Sequence, residues 1–366
     1  MKTKAAVLYE PNTPLIIEEL DLDEPKSDEV LVKIGGAGIC RSDWHFMAGE
    51  AKTVLPVVLG HEGSGVVEQV GPGVTSVKQG DHVILSFVSR CGRCHFCSIG
   101  RPNLCDAHMA TSTTMMDGTH RLHKGELNFT PLSKLACFSQ YSVVPEAACV
   151  PCPKELPLDK AAIIGCCVTT GVSAAITAAK VETGSTVAVV GCGGVGLNVL
   201  QGAMLANASK IIAVDINEGR LEFAMQFGAT HTVNPSHQNA LSRVIEITGG
   251  LGADYTFEVF GSSETVDMAY NMARKGGTVT VVGIPPDGDI PSIDAVALVR
   301  QEKTLKGSYY GSARMQDDMP KMVDLYMSGR LNLDALVTHT YSLDEINEAY
   351  KDLIRGEVGR GVITRF

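Results

Sequence analysis

The 366-residue chain contains no run of about eighteen apolar residues, so no membrane-spanning helix is predicted. Its start, MKTKAAVLYEPNTPL, has neither a long apolar stretch nor a small-residue cleavage site, which speaks against a secretory signal. Positive charge is scarce: 31 Lys and Arg stand against 41 Asp and Glu, a net charge of −10. Neither nucleic acid nor an anionic membrane surface is expected as a partner of such a chain. Solenoid periods and low-complexity tracts are also missing. What remains is an ordinary globular composition, 45% hydrophobic and 20% charged, in a chain too long for one typical core. Two domains are expected. Eleven cysteines in a chain expected to be unsecreted point to a reducing compartment, the cytoplasm, and to metal binding rather than a disulfide framework.

Four of those cysteines are Cys91, Cys94, Cys97 and Cys105, in the run CGRCHFCSIGRPNLC. The spacing C-x2-C-x2-C-x7-C lets four thiolates close a tetrahedral shell around one Zn2+, as in a structural site. The other readings are disulfides or cysteines packed as small hydrophobes. C-x2-C rarely suits a disulfide, and Arg93, His95, Arg101 and Asn103 are too polar for a core segment. A closed four-thiolate shell stabilises a fold and does no chemistry.

The first half of the chain carries short apolar runs broken by Gly, Pro and charge: AAVLY, EVLVKIGGAGI, GSGVVEQVG, DHVIL and QYSVV. These predict short strands and a β-rich domain. Near residue 161 the texture changes to AAIIGCCVTTGVSAAITAAK, long enough for helix. Val- and Ile-rich runs then alternate with helical ones, which predicts a parallel sheet of βαβ units. A mixed tail follows, with helices at DDMPKMVDLYMSG and EINEAYKDLIRG around a strand near VTHTYSL.

Within the alternating region, Gly191, Cys192, Gly193, Gly194, Val195 and Gly196 follow the strand run TVAVV and open the helical run LNVLQGAMLANA. Gly191 permits the tight turn, Gly193 lets backbone approach a pyrophosphate, and Gly196 lets helix pack on strand. Asp215 ends the next strand run, 19 residues beyond Gly196. That position suits a carboxylate accepting from ribose hydroxyls. Its charge would repel a 2′-phosphate, so NAD is expected rather than NADP. The plainer reading is an ordinary βαβ unit with a solvated Asp.

A second metal constellation is more scattered. Cys40 lies in GGAGICRSDWH, His61 and Glu62 in GHEGSGVVEQVG, and Cys166 at the head of the apolar helix. Each alone has a bland reading as a packed or surface residue. Together they offer two thiolates and one imidazole with an open fourth position, the shell of a catalytic zinc that admits water or alcohol.

Taken in order, GICRSD, GHEGSG, the four-cysteine lobe, GCCVTTG, GCGGVG, VDIN and the late GRGV give a chain that resembles the zinc-containing alcohol dehydrogenases of the medium-chain dehydrogenase/reductase superfamily over essentially its whole length. The resemblance implies an α/β fold: a Rossmann doubly wound parallel sheet, residues 168–308, inserted in a GroES-like β-rich catalytic domain, residues 1–167 and 309–366, with the zinc lobe at about 91–105. It implies two Zn2+ per subunit. Cys40, His61 and Cys166 would hold the catalytic ion, with Glu62 behind it as an occasional alternative ligand. Ser42 would contact the substrate oxygen. An alcohol would lose its proton through Ser42, a cofactor ribose hydroxyl and His45 to solvent, and its hydride to the nicotinamide. Arg41 and Arg360 match residues at the cofactor pyrophosphate and Thr170 one near the nicotinamide; Arg220 is counted with the cofactor-binding residues. Ser42, Phe87, Leu132, Ile284 and Tyr309 match pocket positions, which implies primary alcohols with apolar or aromatic tails, and their aldehydes, as substrates. The stretch IPSIDAVALVRQEKTLKGSYY matches the family's subunit-pairing region, and the segment from Met109 to Ser139 resembles a loop of dimeric members. A homodimer is expected, with a tetramer as the alternative.

Some residues depart from related subgroups. Glutathione-dependent formaldehyde dehydrogenases usually carry His-Thr where Arg41-Ser42 stands, and acidic residues shortly after the next Gly, where this chain has Glu50-Ala51-Lys52. Polyol dehydrogenases often have Glu in place of Cys166. A thiol-adduct substrate still competes, with Lys52 and Arg121 as candidate groups at a pocket mouth. A zinc-free quinone reductase would lack Cys40, His61 and Cys166, and a non-catalytic NAD-binding protein would be free to lose Ser42 and His45. The remaining cysteines, Cys137, Cys149, Cys152, Cys167 and Cys192, are expected to be buried thiols, and His108, His120 and His123 to sit on a solvated loop.

Overall fold

A β-rich unit built from both chain ends and a parallel-sheet unit inserted between them make up the computed structural model, which describes residues 1–356 and 359–366. The first unit comprises Met1–Cys166 and Arg314–Phe366, the second Cys167–Ala313.

In the first unit the strands Lys2–Leu8, Ile16–Leu22, Leu122–Lys124, Leu127–Pro131 and Val57–Val58 close a small barrel. A seven-stranded sheet is centred on Glu29–Gly38. That strand pairs antiparallel with Gly63–Val70, Tyr141–Pro145 and the C-terminal strand Arg360–Arg365. The two ends of the chain thus meet in one sheet. Successive side chains of a strand point to opposite faces. Val30, Val32 and Ile34 accordingly join one core, with Val83, Leu85, Val144 and Ile363, while Leu31 joins another, with Val7, Leu20 and Phe129. Burying each such side chain contributes about 1.5–3 kcal/mol.

The second unit holds six parallel strands in the order His231–Val233, Lys210–Val214, Thr186–Val190, Ala253–Glu258, Ala273–Val281 and Thr304–Gly307. Strands covered on both faces read as near-continuous Val and Ile runs, as TVAVV and KIIAV do, and each is buried beyond its first residue. Asn217, Asn239 and Ser262 cap the helices Glu218–Ala224, Ala240–Ile247 and Ser263–Met272, each accepting from a backbone N–H of the first turn. His231–Val233 and Thr304–Gly307 form the two edges of this sheet.

Three expectations are corrected here. The second unit ends at Ala313 rather than at residue 308. The turn Tyr309–Ser312 packs so closely on the helix Thr169–Ser173 that a Cβ on Gly311 would lie 2.7 Å from the Thr170 carbonyl oxygen. Among the described residues one helix, Leu158–Ala179, is long and apolar enough to cross a membrane, with mean hydropathy 1.8, but 89% of its apolar window is buried inside the protein. Its small residues, Ala, Gly, Cys and Thr, disguise the run in the sequence. Finally, the segment from Met109 to Ser139 is more than a loop, because Leu122–Lys124 and Leu127–Pro131 complete the barrel.

Candidate metal centres and nucleotide cradle

Cys40, His61 and Cys166 come together in the first unit, with their ligand atoms all within 4.8 Å of one another. Cys40 caps the helix Arg41–Met47 at its N-terminus, His61 follows the short strand Val57–Val58, and Cys166 sits in a π-helical turn, Ile164–Val168. Such turns widen a helix locally and recur at functional sites. All three residues are buried. Cys166 Sγ is 3.4 Å from His61 Nε2. The other ring nitrogen, Nδ1, is 3.0 Å from Asp43 Oδ2, and Asp43 Oδ1 accepts from the Gly60 N–H at 3.0 Å.

Asp43 therefore fixes the imidazole with Nε2 turned to the thiols, the carboxylate–histidine arrangement that orients metal ligands. The sequence reading missed it. Its only signal was an acid in the first turn of a helix that a ligand caps. The Cys166 thiol beside Cys40 and the His61 ring hold the Cys40 thiol well below its ordinary range, against the effect of burial. Burial opposes charge on His61, yet Asp43 and Cys40 outweigh it and raise the imidazole well above its usual value. Two sulfurs and one imidazole nitrogen form a donor set that suits Zn2+ with a fourth position open to another ligand.

Glu62 is not among the three. Its fully buried carboxylate pairs with the Arg360 guanidinium, itself 5% exposed, on the C-terminal strand. Both residues, placed in separate roles by the resemblance, thus form one ion pair in the first unit. Ser42, half-buried, lies on the first turn of the helix that Cys40 caps, and Arg41 is exposed beside it. Further along, His45 Nδ1 is 2.6 Å from Glu50 Oε2. The Phe87 ring stands edge-on to the His61 ring, centroids 5.5 Å apart, and packs with Leu132 on the core of the first unit. Ile284 and Tyr309 belong to the second unit, Ile284 exposed and Tyr309 half-buried.

The four lobe cysteines also converge, with their sulfurs within 4.8 Å. The Cys91 N–H donates to Cys105 Sγ at 3.2 Å and the Cys94 N–H to Cys91 Sγ at 3.3 Å. Backbone hydrogen bonding, from Cys97 above all, brings the Cys94 thiol down to about 6, whereas burial pushes Cys97 up to about 12. A cation would equalise the four as thiolates. Lys134, fully buried, donates to the carbonyls of His108 and Thr111, at 3.1 and 2.6 Å, next to this lobe.

The predicted histidine loop is not a cluster. His108 is buried and accepts from the Ser89 N–H, and burial lowers its pKa to about 3. His123 pairs instead with Asp23 at 2.8 Å. Arg121 cannot serve a pocket mouth either, because it is 2% exposed and held by Glu29 and Asp117. Of the other cysteines, Cys137, Cys149, Cys167 and Cys192 are buried, and Cys152 half-buried. Burial raises the thiol pKa of Cys137, Cys149 and Cys192, and that of Cys152 to about 12.

In the second unit Gly191 ends the strand Thr186–Val190 with φ +98°, and Gly193 caps the helix Gly194–Leu205. A Cβ on Gly196 would fall 1.9 Å from the Gly191 carbonyl oxygen, so only glycine fits. A Cβ on Gly193 would meet open space, the space a pyrophosphate needs at a helix N-terminus. Val195 lies on the first turn of that helix. Asp215 is 8% exposed at the end of Lys210–Val214; its Oδ2 accepts from the Cys192 N–H at 2.8 Å and its Oδ1 from the Asn217 N–H at 2.9 Å. The acid and the glycine loop are thereby tied together. Arg220 is half-buried on the next helix, and Thr170 is buried on Thr169–Ser173. The cradle fits a dinucleotide.

A β-rich unit with a buried dithiol–imidazole site and a four-cysteine lobe, interrupted by a Rossmann unit, defines a zinc-type dehydrogenase of the medium-chain class. Comparison with known proteins agrees. Residues 26–154 match the alcohol dehydrogenase GroES-like domain and residues 194–328 the zinc-binding dehydrogenase domain. The NDMA-dependent alcohol dehydrogenase of Amycolatopsis methanolica is 42% identical over 99% of both chains. The S-(hydroxymethyl)glutathione dehydrogenase of Paracoccus denitrificans is 41% identical over 99% of this chain and 100% of that protein. The crystal structure of benzyl alcohol dehydrogenase from Acinetobacter calcoaceticus superposes with a TM-score of 0.95 at 34% identity, covering 100% of each chain. The chain belongs to the zinc-containing alcohol dehydrogenase family of the medium-chain dehydrogenase/reductase superfamily.

Proposed function

We propose that this protein transfers hydride between NAD and primary alcohols with apolar or aromatic tails, and their aldehydes. The observation that carries the proposal is the buried Cys40–His61–Cys166 triad, oriented by Asp43 and bordered by the Phe87 ring. A Zn2+ ion there would act as a Lewis acid that lowers the pKa of an alcohol, and NAD would take up the hydride. The residues do the rest. Cys40, His61 and Cys166 would hold the ion. Ser42 accepts the alcohol proton and His45 delivers it to solvent. Gly191, Gly193, Gly194, Val195 and Gly196 would cradle the pyrophosphate, with Thr170 and Arg220 of the same unit as further contacts, while Asp215 would accept from the adenosine ribose. Arg360 serves through Glu62, which it pairs. The lobe cysteines hold a second, structural zinc. The gathering of six of the eleven cysteines into two metal-ligand groups supports a reducing compartment, the cytoplasm.

The apolar substrate class rests on Phe87 and Leu132, and on Arg121 being engaged elsewhere. An apolar pocket gains about 0.8 kcal/mol per buried CH2, about fourfold in kcat/KM. Ethanol, hexanol, benzyl alcohol, sorbitol and formaldehyde with glutathione, each tested with NAD, NADP or NDMA as acceptor, form the deciding panel. Benzyl alcohol and hexanol with NAD are expected to lead. Fastest turnover of sorbitol or of the glutathione adduct would overturn the substrate class. Equal kcat/KM with NADP, or turnover with NDMA but none with NAD, would overturn the cofactor assignment. The glutathione adduct is the second reading, favoured by the similarity to S-(hydroxymethyl)glutathione dehydrogenase.

We also propose a homodimer, formed along the edge strand Thr304–Gly307. Its Leu305, with Ile290, Val296 and Val299 before it, is exposed. Edge strands with exposed apolar side chains are ready to pair. Light scattering at micromolar concentration is expected to give twice the 38.9 kDa chain mass; a monomer mass would contradict it.

A further inference from the structure

The helix Arg41–Met47 ends in a turn that comes back on His45. The Glu50 and Ala51 N–H groups both donate to the His45 carbonyl, at 2.8 and 3.0 Å. Gly49 makes the turn possible with φ +73°, a region that side chains avoid. The same turn lays the Glu50 carboxylate on the imidazole, with His45 Nδ1 to Oε2 at 2.6 Å. Backbone and side chain of Glu50 thus both hold one residue. The side chains are 16% exposed for His45 and 37% for Glu50, so the pair lies where a proton could reach water.

An ionised carboxylate only accepts hydrogen bonds. The hydrogen in this contact therefore sits on Nδ1, and the lone pair is left on Nε2. We propose that Glu50 is a positioning residue for proton exit: it holds neutral His45 in its Nδ1–H form, so that Nε2 takes the departing proton, and its charge stabilises the imidazolium that results. A carboxylate orients a histidine base in this way in other enzymes. The step balances without a redox partner. A proton bonds to the Nε2 lone pair, the ring becomes cationic, and the same N–H bond breaks as water takes the proton. Glu50 stays ionised throughout. The proposal rests on the reading of His45 as the outer end of the proton path.

The test is nitrogen NMR of the holoenzyme with 15N-labelled histidine ring nitrogens, in alkaline buffer, with His45 assigned by its loss in His45→Ala. The parent is expected to show the Nδ1–H form. Glu50→Ala is expected to move His45 towards the Nε2–H form, which an unconstrained imidazole side chain favours in water. Glu50→Gln keeps an acceptor oxygen and should retain Nδ1–H. In parallel, Glu50→Ala should lower kcat/KM for an alcohol by up to about fivefold, the scale of an exposed charge pair, with KM for the cofactor unchanged. An unchanged tautomer in Glu50→Ala overturns the role of Glu50 while leaving the path through His45 intact. Full turnover in His45→Ala removes the path itself.

Discussion

Replacing Cys40 by Ser is expected to lower alcohol turnover about a thousandfold or more and to remove about one zinc ion per chain. A bound metal supplies several kcal/mol of transition-state stabilisation, and each 1.4 kcal/mol is a factor of ten. Cys40 offers one of the three ligand atoms gathered there, and its thiol is the one that Cys166 and His61 together draw towards the thiolate. The ion lost with it should be the one in the open site, because the lobe is an independent set of four sulfurs with its own backbone hydrogen bonds. The fold should persist. Retained zinc content measured by atomic emission, or activity within tenfold of the parent, would remove Cys40 from the site.

Replacing Arg360 by Met is expected to cost about 3–5 kcal/mol of stability, the penalty for leaving a buried charge without its partner. Glu62 has no exposed surface, and the guanidinium is what neutralises its carboxylate. Arg360 also sits on the strand through which the C-terminal segment joins the N-terminal sheet, so the loss would be felt across both chain ends. The double variant Glu62→Gln/Arg360→Met should recover much of the loss, since it removes both charges. Urea titration of the three proteins decides this; a loss below about 1 kcal/mol in the single variant would mean that water reaches Glu62.

Much of the fold was legible because its driving patterns are local. TVAVV, KIIAV and the Gly191–Gly196 turn carry strand, helix start and phosphate cradle within a few residues. The strand Ile16–Leu22 was not legible, since IIEELDL mixes three acids into a short run and only its pairing with Lys2–Leu8 makes it a strand. Arg360–Arg365 escaped for the same reason; its place is set by Gly38 and Ala37, far away in sequence. The four lobe cysteines could be read as a candidate ligand group from residue type and spacing, and Cys40, His61 and Cys166 from residue type and the family resemblance, but the groups packed against them could not. Asp43 becomes visible only when the helix Arg41–Met47 places it beside His61, and Arg360 only when the last strand meets Glu62. Arg121, with Lys52 a candidate for a pocket mouth under the competing thiol-adduct reading, is claimed by Glu29 across 92 residues of chain.

The central claim is that Cys40, His61 and Cys166 hold an ion whose remaining position admits an alcohol. The visible absorption of the cobalt-substituted protein tests it most directly, because Co2+ replaces Zn2+ in such sites and reports on its own ligands. Addition of benzyl alcohol is expected to shift the cobalt–thiolate bands of the parent, and the responding bands should be missing in Cys40→Ser while those of the lobe remain. Spectra that do not respond to alcohol, or that respond equally in Cys40→Ser, would contradict the account.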